Sequence, residues 1–108
     1  MKTPCDPDDC RIVKIQEVLF GKWKLSILWY VHHKNINTFN ALQRALDGIS
    51  HKILSQSLKE LVESGLLTKN VYESKEPKTE YLLTPTGLAF MPILKDMEQW
   101  VEASYYDK

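Results

Sequence analysis

Residues 38–65 carry the pattern that most constrains how this chain can fold. Thr38 and Ser50 each stand at the start of a helical pattern, where a hydroxyl can cap the first turn. Asp47-Gly48 between the two helices is a turn signal, and Gly65 is a natural terminator of the second helix. The apolar residues of the second helix repeat with a period near 3.6, which predicts one buried face. These inward-facing residues are predicted to be Ile53, Leu54, Leu58, Leu61 and Val62.

The pattern changes directly after the second of these helices. Leu66-Leu67 and Val71-Tyr72 form a strand-like run, and Tyr81–Leu83 forms a second one beyond a polar loop at 73–78. Two short runs joined in this way predict a β-hairpin. Two helices with a tight turn, followed by a hairpin, are typical of a winged helix-turn-helix. The predicted fold class is therefore α+β, mainly α, with a two-stranded wing.

Further helices flank this unit. We expect one helix from Cys10 to Leu19 and an apolar, central one from Lys22 to Val31, followed by a polar connector at 32–37. Thr84-Pro85 predicts the start of a last helix that continues to Tyr105. Pro92 lies inside this helix and should kink or break it. The predicted organisation is a flexible arm at residues 1–9 and a single domain at residues 10–108.

The last helix carries more apolar surface than one face of a small domain can cover. The excess predicts a two-fold subunit interface with the first helix, and deep packing within one monomer is the alternative. The predicted interface residues are Ile12, Ile15, Leu19, Leu94, Met97, Trp100, Val101 and Tyr105.

Composition excludes several classes of protein. The 108 residues have a formal net charge of zero, which excludes a basic coat over the whole surface. Residues 11–37 carry a net charge of +4 and residues 80–108 a net charge of −3, so a local basic face is still expected. Neither a membrane-spanning run nor a signal peptide is visible, and two cysteines are too few for a disulfide scaffold. We expect a cytoplasmic protein without a membrane partner.

Several short motifs occur in a specific order and spacing. The segments that carry the resemblance are Cys10, Gly21-Lys22-Trp23, Phe39–Leu42, Gly48–Leu54, Leu58–Leu61, Gly65-Leu66, Glu80-Tyr81 and Leu83–Gly87. Together they resemble the HxlR-type family of bacterial winged-helix transcriptional regulators over residues 10–101. The resemblance implies a homodimeric DNA-binding regulator whose first and last helices form the dimer.

The chain departs from the family pattern at three positions. His51 replaces the usual glutamine, Ser57 the usual arginine, and Thr38 a frequent arginine or lysine. The operator sequence and binding strength of the family therefore do not transfer to this chain. Ser57 and the zero net charge favour an alternative function, a winged-helix protein–protein interaction module that does not bind DNA.

The second helix of the pair is the candidate reader of double-stranded DNA, because the N-terminal part of such a helix reaches base edges. The alternative for its polar face is plain solvation, and for the wing lysines it is protection of a strand edge. The readout candidates are Ser50, His51, Lys52, Ser55 and Gln56. The candidates for phosphate or minor-groove contact are Lys59, Lys22, Lys24, Arg44, Lys75 and Lys78.

Cys10 is a candidate redox or electrophile sensor. It lies thirteen residues before Trp23, the spacing at which the family keeps a cysteine, and Cys5 is a candidate resolving partner. A helix N-terminus and Arg11 would favour the reactive thiolate, whereas a small buried interface residue is the alternative. The other candidate signal is a small aromatic or apolar effector held near Trp23, Trp100 and Tyr105.

The sequence contains no catalytic constellation, and we predict that the protein is not an enzyme and needs no cofactor or metal. His32 and His33 are interpreted as solvated connector residues, because they lack spaced carboxylate or thiol partners.

Overall fold

The computed structural model describes residues 7–73 and 78–106. The helix-turn-helix and the two-stranded antiparallel wing follow in the predicted order and confirm the mainly helical α+β winged-helix fold. A wider, π-helical stretch at Glu102–Tyr106 continues the last helix. The elements are α1 (Pro7–Leu19), α2 (Lys24–His33), α3 (Phe39–Ala45), α4 (His51–Glu63), β1 (Leu67–Tyr72), β2 (Lys78–Leu83) and α5 (Pro85–Val101).

Three side-chain hydroxyls fix where helices begin. Thr38, Ser50 and Thr84 precede α3, α4 and α5, and each hydroxyl oxygen accepts the backbone N–H three residues later, at 3.3, 3.1 and 3.0 Å. Each cap satisfies one of the N–H groups that a first helical turn leaves without a partner. At the far end of α4, Gly65 adopts a φ of +83°, which glycine reaches without steric cost. Thr38, Ser50 and Gly65 confirm the predicted boundaries of the helix-turn-helix, and Thr84 confirms the predicted start of the last helix.

The wing is joined to the start of α3. Leu67 of β1 lies opposite Leu83 of β2 in the antiparallel register. The backbone N–H of Tyr81 donates to the carbonyl of Asn37 at 2.7 Å, and Thr38 pairs with Glu80. The segment that enters α3 therefore forms an isolated β-bridge with β2, which joins the start of α3 to the wing.

The core lies between α2, α4 and the base of the wing. Ile27 and Leu28 of α2 are fully buried, which confirms that this helix is central. The other buried apolar side chains come from α2 to α5, both strands and the turns between them, so a single core serves the described residues. They are Val31, Leu42, Leu46, Ile49, Leu54, Leu58, Leu61, Leu66, Leu67, Tyr81, Met91 and Leu94.

Several predicted boundaries are wrong. Helix α1 begins at Pro7, inside the predicted arm at 1–9, because proline is favoured at the first helical position, where no N–H donor is needed. Helix α2 begins at Lys24 rather than Lys22 and extends through His32 and His33, which were predicted to form a connector. The left-handed backbone of Asn35, with a φ of +53°, stops the chain from continuing as a helix.

The last helix continues through Pro92 without a break. Pro92 is exposed, so water can satisfy the carbonyl four residues earlier that loses its N–H partner. None of the helices within 7–73 and 78–106 has the length and apolar character that crossing a membrane requires.

Candidate nucleic-acid interface

Helix α4 presents a polar face on its N-terminal half. Its opposite face is buried through Leu54, Leu58 and Leu61, as predicted from the 3.6-residue period. Ile53, which was predicted to point inward, is 44% exposed, because it lies one position away from the buried stripe. The exposed polar residues of the helix and its cap include Ser50, His51, Lys52, Ser55, Gln56 and Lys59.

Two of these side chains already have neighbours that restrict them. The imidazole of His51 lies against the ring of Phe39, with centroids 4.7 Å apart. The hydroxyl of Ser50 accepts a hydrogen bond as the cap of α4, which leaves its own O–H available as a donor. Both residues are therefore held at the end of α4 that a recognition helix directs toward base edges.

Positively charged side chains line two grooves, one between α3 and the wing and one between α4 and the wing. Arg44 of α3 and Lys78 of β2 line a groove of about 470 Å³ between α3 and the wing. Lys59 of α4 and Lys69 of β1 line a second depression, of about 230 Å³, together with Ser55. Lys69 was not among the predicted DNA contacts, because it lies inside a predicted strand, between the apolar pairs Leu66-Leu67 and Val71-Tyr72. Lys75 was predicted at the wing tip and lies outside the described residues.

The wing is stiffened by a carboxylate that accepts two hydrogen bonds. Glu80 accepts one from the hydroxyl of Tyr72 at 3.0 Å and one from the amide of Asn37 at 3.5 Å. The hydrogen bond to Glu80, together with the negative charge of that group, raises the pKa of Tyr72 above its usual value. The ammonium of Lys78 lies 5.6 Å from the centre of the Tyr72 ring, which keeps this cation beside the groove.

The two lysines near the start of α2 have different environments. Lys22 is exposed, with its ammonium 4.9 Å from the centre of the Trp23 ring. Lys24 is only 4% exposed, and its ammonium pairs with Glu60 of α4 at 2.9 Å. A buried ammonium with a carboxylate partner cannot reach a phosphate, so the prediction that Lys24 contacts DNA is wrong. Its role is structural, because an unpaired buried charge would be strongly unfavourable.

Glu60 in turn connects this ion pair to the polar face of α4. Its carboxylate accepts a hydrogen bond from the side-chain amide of Gln56 at 2.6 Å. The hydrogen bond from Gln56 and the pairing with Lys24 lower the pKa of Glu60 below its usual value. Glu60 is therefore ionised at neutral pH, and its charge is balanced by a lysine from another helix.

The predicted subunit interface is largely exposed in the single chain. Helices α1 and α5 enclose an apolar groove of about 660 Å³ that includes Ile15, Ile93 and Met97, and we call it the α1–α5 groove. Leu94 is only 7% exposed and belongs to the core of its own monomer, so its assignment to the interface is wrong. Leu94 lies in the middle of α5 and faces inward because it follows Met91, which is also buried, by three residues.

The other interface candidates divide into two groups. Ile12, Ile15, Trp100 and Tyr105 are between 53% and 62% exposed, and Met97 is 38% exposed. Leu19 and Val101 are half-buried. The rings of Trp100 and Tyr105 meet edge to face with centroids 5.7 Å apart.

Cys10 lies in α1, within the first turns of the helix, and is half-buried and disulfide-bonded. Cys5, its predicted resolving partner, lies outside the described residues.

Among the residues at 7–73 and 78–106, no group of histidine, cysteine and acidic side chains could hold a metal ion. His32 and His33 pack against each other with ring centroids 4.8 Å apart, and His33 also lies against Trp29.

Helix α4 has an exposed polar face, side-chain hydroxyls cap α3 and α4, and the wing is joined to the start of α3. These features define a winged helix-turn-helix DNA-binding protein. The sequence profile of the HxlR-like helix-turn-helix family matches residues 18–108, and the chain belongs to this family. It is a helix-turn-helix transcriptional regulator of the winged-helix type.

Relatives and solved structures agree with this membership. The chain is 41% identical to the MalR protein of Fusobacterium mortiferum over 91 residues, which cover 84% of this chain and 86% of that protein. It is 36% identical to the HTH-type transcriptional regulator YkvN of Bacillus subtilis over 97 residues, or 90% and 80% of the two chains. The structure of the redox regulator HypR in its reduced form is similar, with a TM-score of 0.79, 29% identity and 89% and 94% coverage. The oxidised form gives a TM-score of 0.77, 30% identity and 88% and 97% coverage.

Proposed function

We propose that this regulator acts as a homodimer that binds a pseudo-palindromic operator, with one α4 helix in each of two successive major grooves. The observation that carries the proposal is the amphipathic character of α4. Leu54, Leu58 and Leu61 fix one face in the core, while the polar side chains of the N-terminal half are exposed on the other. Because the apolar face of α4 is anchored in the core, its polar face can enter a major groove without loss of core contacts.

The side chains divide by the chemistry they offer to DNA. Gln56 can pair with adenine, and Lys52 can donate to guanine O6 and N7 in the major groove. Ser50, His51 and Ser55 complete the set that reads bases. The lysines and the arginine around α4 contact phosphates and fix the position of the protein on the duplex, and these are Lys59, Arg44, Lys78, Lys69 and Lys22.

A second copy of the chain is the proposed occupant of the α1–α5 groove. Ile15 and Ile93 expose more than half of their surface in this groove, and large exposed apolar patches mark interaction surfaces. A two-fold arrangement in which α1 meets the partner's α5 would bury this apolar surface.

Operator selection tests the proposal. Selection from random duplexes should yield a pseudo-palindrome, and the variants Gln56→Ala and Lys52→Ala should each weaken binding to it by roughly 1–3 kcal/mol. Lys95→Ala is the matched control, because Lys95 is exposed on α5, away from the helix-turn-helix, and should leave affinity unchanged. If both α4 variants bind selected and random DNA like the parent, the assignment of base reading to Gln56 and Lys52 is wrong.

The proposed signal is oxidation of Cys10. Two thiols would lose two protons and two electrons to an oxidant such as a quinone and form one disulfide, with Cys5 as the candidate partner. The similarity to the redox regulator HypR and the position of Cys10 on a helix of the proposed interface support this assignment. A small aromatic or electrophilic effector near Trp100 and Tyr105 is the alternative signal.

A further inference from the structure

Glu60 joins two parts of the molecule that the sequence keeps apart. It lies on α4 one helical turn after Gln56, which donates its side-chain amide to the Glu60 carboxylate at 2.6 Å. From the other side, the ammonium of Lys24 approaches the same carboxylate at 2.9 Å. The chain Lys24–Glu60–Gln56 therefore runs from the buried start of α2 to the exposed, DNA-facing side of α4.

Lys24 is a rigid support for this arrangement. Its side chain is 5% exposed, whereas that of Glu60 is 39% exposed. The ammonium also donates to the backbone carbonyl of Glu17 in α1 at 3.5 Å. Because a buried lysine with two acceptors cannot swing into solvent, it fixes the position of the Glu60 carboxylate and balances a negative charge that would otherwise repel DNA phosphates.

The chemistry of the pair decides which end of the Gln56 amide faces Glu60. An ionised carboxylate only accepts hydrogen bonds, so the amide nitrogen must face it and the amide oxygen must point away. The reversed amide would place two oxygens, one of them charged, against each other at hydrogen-bond distance. Exclusion of water on DNA binding would strengthen this preference, because electrostatic interactions increase in a low-dielectric environment.

We infer that Glu60, itself held by Lys24, is a positioning residue that fixes the orientation of the Gln56 amide and thereby sets which base Gln56 reads. This inference rests on the proposed role of α4 in DNA recognition. The fixed amide presents its oxygen as an acceptor and retains one N–H as a donor. That arrangement suits adenine, which offers the N6 amino group and the N7 acceptor, and disfavours guanine, which offers two acceptors at N7 and O6.

Base preferences selected from random duplexes test the inference. In Glu60→Gln, the new amide can offer either its oxygen or its nitrogen, so Gln56 can adopt both orientations. The preference at the base pair read by Gln56 should fall by about fivefold or more, while preferences at other positions are retained. Glu102→Gln is the control, because Glu102 is exposed on the π-helical stretch after α5, away from α4, and should leave all preferences unchanged.

A second variant distinguishes a loss of base preference from misfolding. Glu60→Gln leaves the buried Lys24 ammonium without a counter-charge, whereas Lys24→Met combined with Glu60→Gln removes both charges and should give the same relaxed preference. In a Gln56→Ala background, Glu60→Gln should produce no additional change of preference, because the residue through which it acts is absent.

The outcomes separate this inference from the proposed function. A parent protein that selects no sequence overturns the proposed function, and this inference with it. A parent that selects a sequence overturns only the inference if the folded Glu60→Gln and double variants select with unchanged preferences. Equal weakening on all sequences would likewise reject it, because that result marks a residue that only stabilises the fold.

Discussion

Gly87 of α5 lies directly against the backbone carbonyl of Leu66, at the junction between α4 and the wing. A Cβ atom at Gly87 would overlap this carbonyl oxygen, and the side chain of Leu83 would also be in tight contact. The same carbonyl accepts the backbone N–H of Thr84 at 3.1 Å, so it cannot turn away without losing a hydrogen bond. The close approach connects the start of the proposed dimerisation helix to the DNA-binding unit.

Gly87→Ala should therefore destabilise the protein by about 2–4 kcal/mol, because a methyl group would displace backbone rather than a flexible side chain. Urea denaturation measures the change. Gly48→Asn is the control, because Gly48 has open space around its Cβ position and asparagine tolerates its φ of +87°, so a loss below about 1 kcal/mol is expected. A Gly87→Ala protein as stable as the parent would contradict the close packing.

The local features of the fold could be predicted from the sequence. Thr38, Ser50 and Thr84 cap their helices and Gly65 ends α4, because capping depends on the residue and its near neighbours. The family motifs also depend on order and spacing along the chain. These signals were sufficient for the helix-turn-helix and the wing.

The errors arise where partners are distant in sequence. Lys24 was assigned to DNA because a lysine near a helix start resembles a phosphate site, and nothing nearby reveals that Glu60 accepts its charge. Leu94 was assigned to the dimer because the last helix is apolar on several sides, and only its packing shows which side meets the core. Tertiary contacts decide such cases, and periodicity alone does not.

The Lys24–Glu60 pair should respond asymmetrically to substitution. Glu60→Ala leaves a buried ammonium without its carboxylate, whereas Lys24→Met leaves a carboxylate that is 39% exposed and can be hydrated. We expect Glu60→Ala to cost more stability than Lys24→Met, with each loss in the range of about 1–3 kcal/mol. Thermal and urea denaturation of both variants measures the order, and the reverse order would show that Lys24 does not depend on Glu60.

Ile93→Glu should convert the proposed dimer to a monomer, because it places a charge in the α1–α5 groove at a side chain that is 55% exposed in the single chain. Sedimentation equilibrium measures the change. Val71→Glu is the matched control, since Val71 is 60% exposed on the wing and should leave the oligomeric state unaltered. An Ile93→Glu protein that remains a dimer rejects this interface. Met97→Glu is expected to act in the same direction.

Treatment of the reduced protein with diamide should change its DNA affinity, and Cys10→Ser should abolish the response. The reason is that Cys10 belongs to α1, a helix of the proposed interface, so a change in its bonding alters the spacing of the two α4 helices. Fluorescence anisotropy with an operator duplex before and after treatment measures the effect. Equal affinity of the reduced and treated parent would remove the thiol switch and leave the effector as the proposed signal.

The most direct test of the account is a salt titration of binding to random duplex DNA. A helix-turn-helix regulator that contacts phosphates through Lys59, Arg44, Lys78 and Lys22 on each protomer should bind non-specifically at low salt. The logarithm of its association constant should then fall linearly with the logarithm of salt concentration, with a slope of about −7 for the eight contacts of two protomers. Absence of binding at low salt, or binding that does not depend on salt, would contradict the account and favour a protein–protein interaction module.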